Sequence, residues 1–500
     1  MGKTGKQRKK LKQQSELKLV ETTGLKRKQK VEANSDSELD ETEVSISVGD
    51  GFVVQSELFT TLKVLNALAR APEAMKAPVF KPLRSALHSL KQLAASHAGI
   101  GTGSSLAGQV SDAISDQRWA DAMDTLAEMR TTKQFPKLGA LQRWVRDCDA
   151  AASTTTQRRD QQVMRVLDSV LRTADPNTVG ALAKWSSKEE VENTDVINGI
   201  RMLETWDPYV GRNDSDIVIK SGRKVTPTEA EVAFYKPLFK IICEESGPER
   251  RPPNNYPMTI YTSIPSIITY TSNLEQLRVQ APILPETFVI QNILSLEECR
   301  QILTAAESIG FTPDEPVVDT ANNRSTLAHN VIWLTDTALT KIIDDRARAH
   351  LPPTMPDDGD TLAVNSTNLR IFEGINPRWR IYRYVPGAIY RPHIDGGWPK
   401  SDYDEKADKY TFDASGGTVW SRLTFLIYLN EGFEGGETTY FVPSQEVVGV
   451  MDAKRVIPRA GCAMVFPHGS VKGNLLHEGS GVTRGVKYIA RTEVLYRKSS

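Results

Sequence analysis

Cysteine, long apolar runs and an amino-terminal apolar stretch are scarce or missing in this 500-residue sequence. The four cysteines are too far apart for a C-x-x-C pair, so neither a disulfide framework nor a thiolate zinc site is expected. No run reaches the roughly 18 apolar residues that a membrane-spanning helix needs, and residues 1–30 lack the apolar core of a secretory signal. We therefore expect an intracellular protein that is neither secreted nor inserted in a membrane.

Net charge is also missing, because 62 basic residues balance 62 acidic ones. This balance argues against a broad basic surface for nucleic acid. The charges are nevertheless unevenly placed. Residues 1–30 hold eleven Lys or Arg and two Glu, and residues 31–44 hold six acidic residues and no basic one. Residues 1–52 are therefore predicted to form a disordered charged tail.

The basic clusters of this tail, Arg8–Lys10 and Lys26–Lys30, are typical of a two-part nuclear localisation signal. They favour a nuclear location over a cytoplasmic one. Two other interpretations stay open, since the tail could contact nucleic acid weakly or could be a solvated charged segment without a targeting signal. Nucleic acid is expected as a partner only through this tail.

Residues 55–245 show the apolar spacing of amphipathic helices. Leu58, Leu62 and Leu65 recur at i, i+4 and i+7, and Val163, Val166 and Val170 repeat at a similar spacing. This pattern predicts an α-helical domain, to which the sequence assigns no function. The segment 246–270 is rich in proline at its start and is interpreted as a linker with leading strands.

Residues 271–500 change to short β-rich segments separated by turns. One helix is predicted near the start, because Ser295 and Glu298 form an S-x-x-E capping box and Gly310 suits the helix end. From Arg380 onward, short apolar and β-branched segments predict a series of strands. The chain is thus predicted to be a multidomain α+β protein whose carboxyl-terminal domain, 271–500, is a β-sandwich or barrel with packing helices.

Histidine is scarce too, with seven residues in all, yet one stands in the motif His393-Ile394-Asp395. In a strand, residues i and i+2 share a face, so this imidazole and carboxylate would point into the same space. One more imidazole completes the two-histidine, one-carboxylate set that holds non-haem Fe(II) and leaves open coordination positions. His477 and His468 are the two candidates for that third ligand.

Lys487 supplies a second signal, because it lies in a segment that otherwise reads as a buried strand. Burying a lysine is costly unless it meets an anion. An iron site beside it would accept a 2-oxo acid whose far carboxylate needs a cation, and the Tyr384 hydroxyl could donate to the same carboxylate. Lys487 follows His477 by ten residues. The alternative is a lysine at a strand end that reaches solvent.

Four segments, 380–395, 421–441, 458–469 and 476–496, resemble the catalytic domain of the prolyl 4-hydroxylase group of Fe(II)- and 2-oxoglutarate-dependent dioxygenases. They occur in the family's order, and the resemblance extends over about residues 286–498. It implies that the catalytic iron ligands are His393, Asp395 and His477, and that the 2-oxoglutarate-binding residues are Lys487, Tyr384 and Thr424. For Thr424, a plain core threonine is the alternative. His468 is expected to have a supporting role.

The resemblance also implies a double-stranded β-helix (a jelly roll), with Fe(II) as cofactor, 2-oxoglutarate as co-substrate and L-ascorbate as auxiliary reductant. The implied reaction is hydroxylation of a protein or peptide side chain, with proline as one candidate, coupled to decarboxylation of 2-oxoglutarate to succinate. Two alternatives stay open, namely the same chemistry on nucleic acid or a small molecule, and a non-catalytic adaptor whose helical half binds proteins. The polar loop 396–420 is longer than a β turn needs and is interpreted as a substrate lid. The sequence does not predict the oligomeric state.

Overall fold

A computed structural model gives the fold for most of the chain beyond residue 104 and for parts of what precedes it. The described residues are 45–48, 51–70, 74–75, 77–84, 86–87, 105–152, 161–175, 196–197, 199–209, 217–250, 254–283, 285–315, 328–357 and 368–498. Residues 1–44, with both basic clusters, lie outside them, so the nuclear localisation signal stays a prediction. None of the described helices is long and apolar enough to cross a membrane.

The helices fall into an amino-terminal group and a group that packs on the large sheet. In chain order they are α1 (Gln55–Arg70), α2 (Leu106–Ser115), α3 (Trp119–Thr131), α4 (Leu138–Ala151), α5 (Gln161–Ala174), α6 (Ile217–Lys220), α7 (Glu229–Tyr235), α8 (Leu296–Ile309) and α9 (Thr337–Arg348). The predicted capping box of α8 is confirmed. Ser295 Oγ accepts from the Glu298 N–H at 3.2 Å, Glu298 Oε2 accepts from the Ser295 N–H at 2.7 Å, and Gly310 ends the helix at a φ of 94°.

The strands follow mainly in the second half of the chain. They are β1 (Ser45–Val48), β2 (Gly51–Val54), β3 (Val196–Ile197), β4 (Ile200–Met202), β5 (Phe239–Glu245), β6 (Met258–Ser263), β7 (Leu277–Gln280), β8 (Phe288–Gln291), β9 (His329–Leu334), β10 (Thr354–Pro356), β11 (Leu369–Ile375), β12 (Arg378–Tyr384), β13 (Tyr390–His393), β14 (Asp402–Asp404), β15 (Lys409–Thr411), β16 (Val419–Tyr428), β17 (Glu434–Gly435), β18 (Thr438–Pro443), β19 (Met451–Val456), β20 (Ala463–Pro467), β21 (Leu476–Gly479), β22 (Val482–Arg484) and β23 (Lys487–Lys498). The run of short strands predicted beyond Arg380 is confirmed.

Two sheets dominate the fold. The larger has eleven strands in the order β5-β6-β9-β12-β23-β16-β20-β8-β7, with β11 also pairing with β23 and β10 with β11. The smaller has six strands in the order β13-β21-β18-β19-β4-β3. The long pair β16–β23 is antiparallel and runs from Val419 opposite Arg497 to Tyr428 opposite Ile489. The protein is therefore a mixed helix and sheet structure with extensive, mainly antiparallel sheets.

Alternation along each strand separates the core into layers. In β12, Ile381 packs in a cluster with α8 and α9 behind the large sheet, whereas Tyr382 packs in the cluster between the sheets. In β18, Tyr440 faces the space between the sheets, whereas Phe441 packs with α2–α5 on the outer face of the small sheet. The order of layers is thus helices, large sheet, small sheet and a second set of helices.

Two predictions made from local pattern are wrong in part. The helical prediction for 55–245 fails at β3, β4 and β5. The strand β4 pairs with β3 and, at long range, with β19, and β5 pairs with β6. The disordered tail predicted for 1–52 fails at its end, where β1 pairs with β2. Alternating β-branched residues there favour a strand once the acidic run ends.

Strands that precede residue 271 are hydrogen-bonded into both sheets. The pair β3–β4 extends the small sheet, and the pair β5–β6 extends the large one through the parallel pairing of β6 with β9. The predicted domain boundaries (1–52, 55–245, 246–270 and 271–500) stay predictions. Any division at residue 271 would break sheet hydrogen bonds.

Candidate active site

One cavity between the two sheets holds every residue that the sequence assigned to the site. The volume of the cavity is about 470 Å³, which includes the solvent-filled space at its opening. The predicted site residues that line it are His393, Asp395, His477, Lys487, Tyr384 and Thr424. They come from β12, β13, β16, β21 and β23 and from the residues just after β13, so the tertiary structure collects them from 104 positions of sequence (384–487).

The two histidines are placed by strand pairing. His393 of β13 lies directly opposite His477 of β21 in the antiparallel register, and their ring centroids are 4.3 Å apart. Asp395 lies two residues beyond His393, just after the strand ends rather than inside it as the sequence motif suggested. Its Oδ1 lies 3.5 Å from His393 Nε2, and its Oδ2 lies 3.7 Å from His477 Nε2. One ligand atom from each of the three residues lies within 4.8 Å of the others.

Main-chain carbonyls fix the orientation of both rings. His393 Nδ1 lies 2.8 Å from the Arg391 carbonyl oxygen, and His477 Nδ1 lies 3.0 Å from the Leu475 carbonyl oxygen. A carbonyl can only accept, so each Nδ1 carries a proton and each ring turns its Nε2 towards Asp395. This is the tautomer that a metal ligand requires.

Charge at the three residues also suits a divalent metal. Burial opposes ionisation of Asp395, but Arg491 and the two histidines outweigh it and hold the pKa of this carboxyl well below its usual range. Burial, with His393 close by, lowers the pKa of His477 to about 4. The site therefore offers an ionised carboxylate and a neutral imidazole at physiological pH, the protonation states in which these groups bind metal.

His468, the other candidate for the third ligand, is held in a hydrogen-bond chain instead. Thr424 Oγ1 donates to Asp395 Oδ2 at 2.8 Å, so it must accept from His468 Nδ1, which is 2.7 Å away. Ser421 Oγ then donates to His468 Nε2 at 2.7 Å and accepts from the Trp398 N–H at 2.8 Å. Burial lowers the pKa of His468 to about 3, so the ring is neutral. Both of its nitrogens are engaged, and its contact with Asp395 runs through Thr424.

Lys487 is buried, with only 2 % of its surface exposed, although it is the first residue of β23. The alternative of a lysine that reaches solvent is therefore wrong. Its Nζ donates to the Gly436 carbonyl at 2.6 Å and lies 5.4 Å from the ring centroid of Tyr384, the residue opposite it in the β12–β23 register. Gly436 has a φ of 70°, and a Cβ there would lie 3.2 Å from Lys487 Cδ, so glycine suits this close approach.

Arg491 is one of the cavity residues that the sequence analysis missed, and it is the one in contact with Asp395. Its Nη2 lies 3.2 Å from Asp395 Oδ1, and neither Nε nor Nη2 makes a hydrogen bond within the described residues. Asp395 and Glu493 outweigh burial and raise its pKa, so it stays charged. A signal existed in the sequence, because Arg491 is four residues after Lys487 and strand alternation puts both on one face.

The segment 396–420, interpreted from its length as a substrate lid, lies elsewhere. None of the cavity-lining residues belongs to it. Its hairpin, β14–β15, contacts β5 at the edge of the large sheet, where Lys240 Nζ donates to Tyr403 Oη at 2.9 Å and to Asp408 Oδ1 at 2.7 Å. The lid interpretation therefore stays a prediction, and the contacts described here join the loop to a strand from earlier in the chain.

Comparison with known proteins decides the family of this region. Residues 379–492 match the sequence model of the 2OG-Fe(II) oxygenase superfamily. These residues form a 2OG-Fe(II) oxygenase domain. The domain is accordingly that of a 2-oxoglutarate-dependent dioxygenase, and its family implies Fe(II) and 2-oxoglutarate. A search of curated proteins found no match to the chain.

Solved structures similar to the oxygenase include three prolyl hydroxylases. A viral collagen prolyl hydroxylase from Paramecium Bursaria Chlorella virus-1, in a 2OG complex, is 20% identical over 43% of this chain and 97% of its own, with a TM-score of 0.26. A Pseudomonas putida prolyl-4-hydroxylase is 23% identical over 26% and 54%, with a TM-score of 0.17. A Trichoplax adhaerens prolyl hydroxylase, in complex with a hypoxia inducible factor oxygen degradation domain peptide fragment, is 16% identical over 43% and 83%, with a TM-score of 0.26.

The donor set of the oxygenase fits the iron that the family implies. His393 and His477 turn their Nε2 atoms towards the carboxylate of Asp395, and the three ligand atoms are close enough to meet at one ion. Two imidazoles and one carboxylate on a single side of the ion are the ligands of non-haem Fe(II) oxygenases. Lys487 and Arg491 place two basic side chains in the same cavity, where an anionic co-substrate would bind.

Proposed function

We propose that this oxygenase hydroxylates a side chain of a protein or peptide, with proline as one candidate, and that it decarboxylates 2-oxoglutarate to succinate as it does so. The observation that carries the proposal is the meeting of His393, Asp395, His477 and a buried Lys487 in one cavity. The motifs that resemble the prolyl 4-hydroxylase group support the substrate class. In this proposal the two facing sheets correspond to the double-stranded β-helix of that group.

Each residue then has a defined task. His393, Asp395 and His477 hold the iron, which when bound supplies the oxidising chemistry for which O2 and 2-oxoglutarate are consumed. Lys487 pairs with the far carboxylate of 2-oxoglutarate, and the Tyr384 hydroxyl donates to it. Thr424 holds Asp395 in place through the 2.8 Å hydrogen bond to Oδ2. We propose L-ascorbate as the auxiliary reductant, as the motif resemblance implies.

The direction of substrate entry follows from exposure of the ligands. The side chain of His393 is 23% exposed, whereas those of Asp395 and His477 are 6% and 8% exposed. The mouth of the cavity therefore opens beside His393, where the ring of Tyr390 lies 4.2 Å from the imidazole, centroid to centroid. A peptide side chain would enter at this aromatic edge, while 2-oxoglutarate occupies the buried end near Lys487.

Binding and turnover of the purified full chain test the proposal. We expect the protein to bind Mn(II), used as an oxygen-stable probe, and then 2-oxoglutarate without oxygen. With Fe(II) and air it should form succinate, and a peptide bearing the correct side chain should raise that rate and gain 16 Da. Capture of bound partners followed by mass spectrometry would supply the peptide. The Asp395→Ala variant is the control and should lose metal and succinate formation together.

The alternatives have their own outcomes in the same experiment. Succinate formation that rises with an oligonucleotide or a small molecule, and with no peptide, would move the substrate to that class. A folded chain that binds neither metal nor 2-oxoglutarate would overturn the enzyme proposal and leave the adaptor interpretation.

A further inference from the structure

We propose that the helical bundle formed by α2–α5 positions the metal-ligand strands of the oxygenase, and that Asp149 and Gln142 of α4 are its positioning residues. This gives a role to part of the helical half, to which the sequence assigned no function. The inference rests on the proposed function, because its effect is on the affinity of the iron site.

The apolar contacts of the bundle reach the two ligand-bearing segments from behind. Ile394, between His393 and Asp395, and Leu476, next to His477, belong to the same buried cluster as Leu141, Trp144 and Val145 of α4 and as much of α5. Alternation explains this placement, because neighbouring residues point to opposite faces. The ligands face the cavity, and the residues beside them face the bundle.

Polar contacts from α4 reach residues on both sides of His393, the side chain of Arg391 before it and the main chain of Ile394 after it. Gln142 Nε2 donates to the Ile394 carbonyl at 2.9 Å. Asp149 accepts two hydrogen bonds from Arg391, at 2.6 Å from Nε and at 2.8 Å from Nη2. The carbonyl of that same Arg391 accepts from His393 Nδ1. Asp149 thus fixes the residue that orients the His393 ring, and Gln142 fixes the peptide between His393 and Asp395.

Burial makes the ion pair sensitive to change. Asp149 is only 3% exposed and the Arg391 side chain 20% exposed, so loss of one partner leaves a charge with poor access to water. Residues that orient metal ligands through a hydrogen bond usually change metal affinity about 10–100-fold when they are replaced. Replacement of Asp149 or Gln142 should therefore act on the metal rather than only on the stability of the bundle.

The bundle offers a matched control in a second buried ion pair. Asp168 and Arg172 of α5 pair at 2.8 Å, with side chains 1% and 5% exposed. Asp168 Oδ2 also accepts from the Gly449 N–H, and Arg172 donates to the Ser444 carbonyl. These hydrogen bonds anchor the bundle to the loop between β18 and β19, whereas those of Asp149 and Gln142 reach Arg391 and Ile394 beside the ligands. In both ion pairs the carboxylate is buried, and the two pairs differ in the segment that they hold.

The test compares Asp149→Asn and Gln142→Met with Asp168→Asn in the full chain. The measurements are the dissociation constant for Mn(II), from the EPR signal of free metal, and the melting temperature of the metal-free protein. We expect Asp149→Asn and Gln142→Met to weaken Mn(II) binding at least about tenfold. Asp168→Asn should lower the melting temperature by a similar amount to Asp149→Asn and leave Mn(II) affinity within about twofold. A neutral pair, Asp149→Asn with Arg391→Gln, should recover part of the lost affinity.

Two results would overturn the inference. One is unchanged Mn(II) affinity in Gln142→Met, which stays informative even if Asp149→Asn does not fold. The other is a loss of Mn(II) affinity that follows the melting temperature equally in Asp168→Asn, since that indicates a purely structural role. A wild-type chain that binds no Mn(II) would instead contradict the proposed function, so the two failures can be told apart.

Discussion

At the scale of single residues, the pKa of Lys487 leads us to expect that the affinity for the co-substrate depends on pH. Burial lowers its pKa to about 7, only partly offset by Glu437, so above pH 7 the free protein holds it mainly as the neutral amine. A carboxylate beside it favours the ammonium form, so 2-oxoglutarate binding at pH 8 should take up close to one proton. Affinity should be constant below about pH 7 and should fall up to tenfold per pH unit above it.

Calorimetry of 2-oxoglutarate binding to the Mn(II)-loaded protein, in buffers of different ionisation enthalpy, measures this proton uptake. The Lys487→Arg variant is the control, because arginine stays charged and should show weaker but pH-independent binding. Equal affinity at pH 6.5 and 8.5 in the wild type would contradict the role of Lys487.

We expect substitution by alanine to affect metal binding differently at His477 and at His468. His477→Ala should abolish Mn(II) binding and succinate formation, because two remaining ligands do not hold the ion. His468→Ala should keep the metal and lose at most about 100-fold in affinity, since its contact with Asp395 runs through Thr424. Metal loss in His468→Ala with retention in His477→Ala would reverse the ligand assignment.

We expect Arg491 to have opposite effects on the affinity for the metal and on the affinity for the co-substrate. Its charge lies 3.2 Å from Asp395, where it repels a dication and attracts a dianion. Arg491→Met should therefore weaken 2-oxoglutarate binding by about tenfold or more without weakening Mn(II) binding. Arg497→Met is the matched control on the same strand, because that side chain is 59% exposed. Parallel losses of both affinities would mean that Arg491 only supports the fold.

At the scale of elements, the β14–β15 hairpin predicts what the long 396–420 segment does. Asp402 and Thr411 are cross-strand partners, so residues 403–410 can be replaced by an Asn-Gly turn with little strain. We expect unchanged Mn(II) and 2-oxoglutarate affinities and a modest fall in melting temperature from the lost contacts with β5. A loss of 2-oxoglutarate affinity in the shortened protein would support the lid interpretation.

Single helices and strands also show which parts of the fold the local sequence predicts and which parts it does not. The cap of α8 and the strands beyond Arg380 were predictable, because a capping box and β-branched periodicity act within a few residues. The strand β4 was not, because its partner β19 lies about 250 residues later in the chain. The strand β5 pairs with the nearby β6, which reaches the large sheet only through its pairing with β9.

At the scale of the whole molecule, the layered packing predicts that the oxygenase depends on residues before 271. A fragment of residues 271–500 would lack β4, β5, β6 and the α2–α5 bundle, all of which contact the sheets. We expect a fragment of residues 105–500 to bind Mn(II) as the full chain does, and the shorter fragment to melt at lower temperature and to bind Mn(II) more weakly. Equal affinity and stability in both fragments would support the predicted boundary at 271.

The sequence by itself determined the chemistry of the site. It did so through three short-range relations, namely the H-x-D motif, the ten-residue spacing between His477 and Lys487, and the position of Tyr384. Each of them places a side chain that a metal ion or a bound anion would need. Only the tertiary structure decided how those relations combine. Strand pairing set His393 opposite His477, engaged both nitrogens of His468, and brought Arg391 against Asp149 across 242 residues. Contacts at that separation depend on the register of sheets and the packing of layers, which no local pattern encodes.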